Sequence, residues 1–135
     1  MPVSPEEDIL RAICTDKIDE GVISPSLFKG SHTSVSRPAI IPLEDHWSVF
    51  RSGVQKPPER MLEMIGSINI GHLQEIGRNY CIGPDKKPMP VELTVEPAPE
   101  DWNPAHAEIP ESISRGLANK IVAALTFHKP PSDQL

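Results

Sequence analysis

The chain is poor in aromatic residues, with two Trp, one Tyr and three Phe among 135. Its core must rest on aliphatic side chains, and modest stability is expected of a core that small. Basic excess is also missing: Lys plus Arg number 13 against 19 Asp plus Glu, a formal net charge of −6. General nucleic-acid binding rests on a basic surface that neutralises phosphates, so that class is excluded, as is a polybasic membrane binder. No uninterrupted apolar run exceeds five residues, against the roughly 20 that a membrane-spanning helix needs. The first residues are acidic and carry no apolar segment of the signal-peptide kind. Cysteine is scarce. Cys14 and Cys81 have no CxxC spacing, which excludes a disulfide framework and predicts two free thiols in a reducing, cytoplasmic setting.

Proline is what the chain has in excess, 16 of 135, or more than twice its usual share of about 5%. An apolar fraction of 38% with 24% charged residues is not the composition of a disordered chain. The prolines fall between apolar segments and punctuate a single folded domain over residues 1–135, with 1–3 and 130–135 expected as loose tails.

Local patterns predict a mixed order of elements. Ser4, Pro5 and Glu7 form a capping-box pattern, which predicts a short helix over 4–14 with Ile9, Leu10 and Ile13 on one face. A single helical turn over 24–30 ends at Gly30. Residues 31–37 read as a loop entering a strand, extended through 39–41 as an edge strand between Pro38 and Pro42. Leu43, Trp47 and Phe50 define a helix over 43–51 with Gly53 as its stop. Strand periodicity around Asn69 is followed by two helical turns over 71–76. Val91, Leu93 and Val95 alternate with polar residues and predict a half-buried strand. Residues 105–109 predict another, bounded by prolines. Ile113, Leu117, Ile121 and Leu125 predict a long C-terminal helix. The order is not a regular βαβ alternation, so the fold class expected is α+β: a small antiparallel or mixed sheet with short helices and a long C-terminal helix packed on it.

Two segments concentrate candidate chemistry. Lys29, Ser34, Ser36 and Arg37 bring cations and hydroxyls close together around Gly30 and form a candidate anion-binding loop. It is not a phosphate-binding loop of the G-x-x-x-x-G-K type. His106 and Glu108, two apart on a predicted strand, share a face and form a candidate general base with an orienting carboxylate. His-Ala-Glu also opens the zinc deaminase signature, but no cysteine follows Cys81 to complete it. His32, His46, His72 and His128 lack metal-ligand spacing, so no metal and no cofactor is called for. Trp102, in an acidic proline-rich loop, is either a loop anchor or a partner contact.

Gly21, Ser24, Phe28, Ser34-Val35-Ser36 and Asn103-Pro104-Ala105-His106 together resemble a family of small uncharacterised bacterial proteins. That resemblance implies a bacterial cytosolic origin and supplies no activity. Arg11 after two apolar residues, with Ser34-Val35-Ser36, is also similar to ADP-ribosyltransferases of the arginine–serine–glutamate type. Glu92, Glu96 and Glu108 are then the candidates for the glutamate. Two departures count against it: no Glu-x-Glu or Gln-x-Glu turn is present, and a helix is predicted where that fold has its first strand.

The function expected is a small binding or interaction module, of the kind found in bacterial defence, toxin–antitoxin or mobile-element systems. Its partner would be another protein or a second copy, joined through edge strands at 39–41 or 91–95. The alternative is a nucleotide- or phosphate-handling enzyme using Arg37 and His106, which requires both to face one cavity.

Overall fold

The computed structural model describes residues 3–131. The elements of the main sheet are β1 (Asp8–Cys14), β4 (Thr33–Ser36), β5 (Leu62–Asn69), β8 (Glu96–Pro97), β9 (His106–Ile109) and β10 (Thr126–His128). They are ordered β10-β5-β1-β4-β9-β8, and every pair is antiparallel. Two small hairpins, β2–β3 (Ile18–Asp19, Val22–Ile23) and β6–β7 (Cys81–Ile82, Lys87–Pro88), stand outside it. Three helices complete the α+β fold: α1 (Leu43–Gly53), α2 (Ile70–Arg78) and α3 (Arg115–Ala123). No helix is long and apolar enough to cross a membrane among the described residues.

The alternation of side chains across the strands divides the interior in two. Ile9 and Ile13 of β1, Ile68 of β5, Val35 of β4 and Ala107 and Ile109 of β9 face α2, α3 and the turn carrying Leu27 and Phe28. Leu10 and Ala12 of β1 with Ile65 of β5 face the other way, onto Trp47 and Phe50 of α1. That second face is covered only in part. Ser34 and Ser36 of β4 lie opposite Glu108 and His106 of β9 in register, so this face of the sheet is polar along β4 and β9.

Several expected elements take another form. Residues 4–14 are not a helix. The capping-box hydrogen bonds do form, Ser4 N to Glu7 Oε2 at 2.9 Å and Glu6 N to Ser4 Oγ at 3.2 Å, but they close a turn. The chain then leaves as β1, because covering on both faces turns the apolar run of Ile9 to Cys14 into a central strand. Residues 39–41 form a turn, with Ile40 N and Ile41 N both donating to Arg37 O, and β4 lies in the sheet interior between β1 and β9. Residues 91–95 keep the burial alternation, with Leu93 fully buried, but they join no ladder. Their backbone groups are taken elsewhere: Val91 N donates to Gly77 O, Leu93 O accepts from Gln74 Nε2, and Thr94 N donates to Glu111 Oε1. Gly77 is required here, because a Cβ at this position would collide with the Val91 carbonyl.

The C-terminal helix is nine residues and not long. Gly30 and Ile113 exchange backbone hydrogen bonds before it begins, Ser114 caps it by accepting from Leu117 N, and the chain after Leu125 joins β5 as β10. The sheet edges are therefore β8 and β10, two and three residues long, which leaves little exposed ladder for another chain to pair with. Of the expected tails, 1–2 and 132–135 lie outside the described residues, whereas Val3 packs against the larger core.

Candidate functional site: a groove where two strands part

β1 and β4 share one register pair, Leu10 with Ser36. Beyond it, toward Cys14 and Thr33, no further pair forms. Arg11 occupies this opening. Its Nε donates to Leu27 O and its Nη1 to Ser34 O, both at 3.0 Å. The side chain thus satisfies two backbone carbonyls that have no ladder partner there. Burial holds the guanidinium below the ordinary arginine pKa, and nearby Arg60 pushes it the same way, while Cys14 and Asp16 oppose the shift. No carboxylate lies within ion-pair distance of Arg11 among the described residues.

Two cavities meet at this side chain, and Arg11, Ala12 and Val54 line both. The larger, about 240 Å³, adds Lys17, Asp16 and Arg60. Arg60 is paired with Asp16 at 3.1 Å, and Lys17 Nζ donates to Ser26 Oγ at 3.2 Å. Three cations against one carboxylate make this end of the groove positive. The smaller cavity, about 30 Å³, adds Ser34, Trp102, Asn103 and His106. Trp102 is 41% exposed. Its ring lies on Gly53, at the end of α1, where any side chain would overlap it. The His106 ring sits 6.0 Å from it, centroid to centroid. One end of the groove is cationic and the other aromatic.

Below the aromatic end lies a closed polar network. Ser36 and His46 are fully buried. Pro42 O, an acceptor only, meets His46 Nδ1 at 3.1 Å, so Nδ1 carries the proton. Ser36 Oγ then donates to His46 Nε2 at 2.6 Å and accepts from Asn103 Nδ2 at 3.0 Å. Burial pushes the His46 pKa down, which keeps the ring neutral, although the Pro42 hydrogen bond and Asp45 oppose it. Every buried side-chain polar atom among the described residues has a partner, as buried polar groups require.

The candidate residues separate accordingly. Ser34 and His106 reach the groove. Ser36 belongs to the network beneath it. Lys29 is exposed and lines neither cavity. The Arg37 side chain, 4% exposed, makes a two-point pair with Glu7, Nε to Oε1 and Nη2 to Oε2, each at 3.0 Å. His106 and Glu108 lie on one strand face but do not join: His106 Nδ1 donates to Ala98 O at 2.7 Å, and Glu108 meets His32 at 3.1 Å. Arg37 and His106 share neither cavity of the groove.

Sequence reasoning placed Arg11 only through a resemblance and missed Lys17 and Arg60. The signal was an arginine inside an otherwise apolar strand, a cation that must find buried acceptors. No group of three or more His, Cys, Asp or Glu side chains is gathered for a metal among the described residues. Comparison with protein-family models, with curated proteins and with solved structures finds no match for this chain.

Proposed function

We propose that the chain is a binding module for a small phosphorylated ligand carrying an aromatic ring, a nucleotide being the class that uses both ends of the groove. The observation that supports it most is Arg11, a part-buried guanidinium at the junction of two cavities with no carboxylate within ion-pair distance among the described residues. Burying an unpaired charge is costly, and an anion arriving there offsets that cost. A guanidinium suits phosphate through its planar donor fork. The larger cavity is smaller than the roughly 300–1,000 Å³ of pockets that enclose a whole drug-sized ligand. It therefore takes the phosphoryl part and leaves the ring to Trp102, where stacking of a base contributes about 1–3 kcal/mol.

Binding is favoured over catalysis by what the acid–base groups already do. His106 Nδ1 is held by Ala98 O and Glu108 by His32. Ser36 and His46 have the spacing of a nucleophile and its base, but both are closed off from solvent.

Thermal denaturation with ADP, pyrophosphate and adenosine tests this reading. ADP is expected to raise the melting temperature most and adenosine least. Ligand at a hundredfold excess over its dissociation constant stabilises by about 2.7 kcal/mol. Lys17→Gln and Arg60→Gln should weaken the response to pyrophosphate and ADP alike, and Trp102→Leu that to ADP alone. A flat melting temperature with both phosphorylated ligands contradicts the proposal.

A further inference from the structure

A second and larger cleft, about 670 Å³, lies between α2, α3 and the β6–β7 hairpin, and it shares no lining residue with the groove. Its volume is in the range of sites that enclose small molecules. Ile76 of α2 and Ala123 and Ala124 at the end of α3 give it an apolar floor. Lys86 of the hairpin turn and Lys120 of α3 both line it, and neither ammonium group makes a hydrogen bond or ion pair with a described residue. Glu75 also lines it and pairs with neither lysine.

The walls are held in place. Met89 N donates to Tyr80 O at 2.9 Å and Lys86 N to Gly83 O at 3.1 Å, with Gly83 and Lys86 both at positive φ in the turn. The Tyr80 hydroxyl packs on Gly116 of α3, where any side chain would collide with it. That contact ties the end of α2 to the start of α3. A preformed site loses less ordering entropy when a ligand enters.

Two ammonium groups without a neutralising partner, over an apolar floor, fit an anion with an apolar body. Glu75 in the same cleft disfavours ligands of high negative charge, since each added charge also meets its carboxylate. We propose that this cleft binds an organic monocarboxylate with an apolar body: the carboxylate on Lys86 and Lys120, the body on Ile76, Ala123 and Ala124. It is distinct in place and in preference from the groove at Arg11.

The test is an amide-resolved NMR titration with 3-phenylpropionate and with its neutral amide, 3-phenylpropanamide. The carboxylate is expected to perturb residues 72–83 and 116–124 and to bind at least about tenfold more tightly than the amide, a difference of about 1.4 kcal/mol. Lys86 and Lys120 are exposed, so Lys86→Gln and Lys120→Gln should leave the spectrum folded, and the double variant should bind both probes equally. Equal binding of the two probes by the unaltered chain overturns the proposal. So does carboxylate selectivity that survives in the double variant, or an absence of perturbation at millimolar probe.

Discussion

Trp47→Ala is expected to lower the stability of the chain by about 3–5 kcal/mol, the cost of emptying a large aromatic site in a core. Trp47 is one of only five buried residues in the smaller core cluster, with Leu10, Ala12, Phe50 and Ile65. An 11-residue helix has little stability of its own in water and is held by the face that it buries. α1 is therefore fastened to the sheet mainly by Trp47 and Phe50. The same helix end presents Phe50 and Val54 to the groove, so the variant should lose ligand affinity together with stability. Urea unfolding measures the first effect. Val22→Ala is the control, because that side chain is 67% exposed and surface substitutions usually stay within about 0.5 kcal/mol. A loss below about 1 kcal/mol at Trp47 would contradict this account of how α1 is held.

Arg37→Met is expected to cost about 1–3 kcal/mol, because the partly buried Glu7 carboxylate loses both Arg37 hydrogen bonds and keeps that from Ser4 N. Replacing both residues with apolar ones of similar volume should recover part of that loss, and a double-mutant cycle isolates the coupling. The pair also predicts a pH dependence. The hydrogen bonds from Arg37 hold the Glu7 carboxyl below the ordinary glutamate range, and partial burial opposes this only in part. A folded-state pKa below the unfolded one gives stability that is present above about pH 4.3 and is lost as pH falls through the folded value. His46 acts in the same direction at higher pH. Its folded pKa is depressed by burial, so the unfolded chain takes up a proton first, and stability begins to fall below about pH 6.5. Unfolding free energies followed from pH 7 to pH 3 should decline in two stages. Glu7→Gln with Arg37→Met should remove the lower stage, and a profile unchanged in that double variant would contradict the assignment.

Much of the fold was legible because its signals are local. The 43–53 helix follows from the spacing of Leu43, Trp47 and Phe50, and the helical turn after Ser24 from its cap and proline. What misled was burial on both faces. Ile9, Leu10 and Ile13 have helical spacing, yet they occupy a central strand whose two faces are both covered, where apolar residues lose their period of two. Residues 91–95 have strand alternation without a strand, because burial of Leu93 sets the alternation while side chains and the α2 backbone take the hydrogen bonds. Expecting 39–41 at an edge failed for a related reason: the strand ends at Ser36, and Arg37 O closes a turn. The candidate site was legible only in part. Ser34 and His106 were singled out for their chemistry and do reach the groove. Arg37 was chosen as an anion-binder, but a carboxylate distant in sequence, Glu7, claims it. Lys17 and Arg60 come together only through the meeting of segments far apart in the chain.

Mapping ADP binding by backbone amide shifts tests the central claim most directly. The account predicts saturable shifts at residues 11–17, 54–60 and 102–106, with those at 11–17 reproduced by pyrophosphate. Shifts confined to 72–83 and 116–124, or none at all, would contradict it.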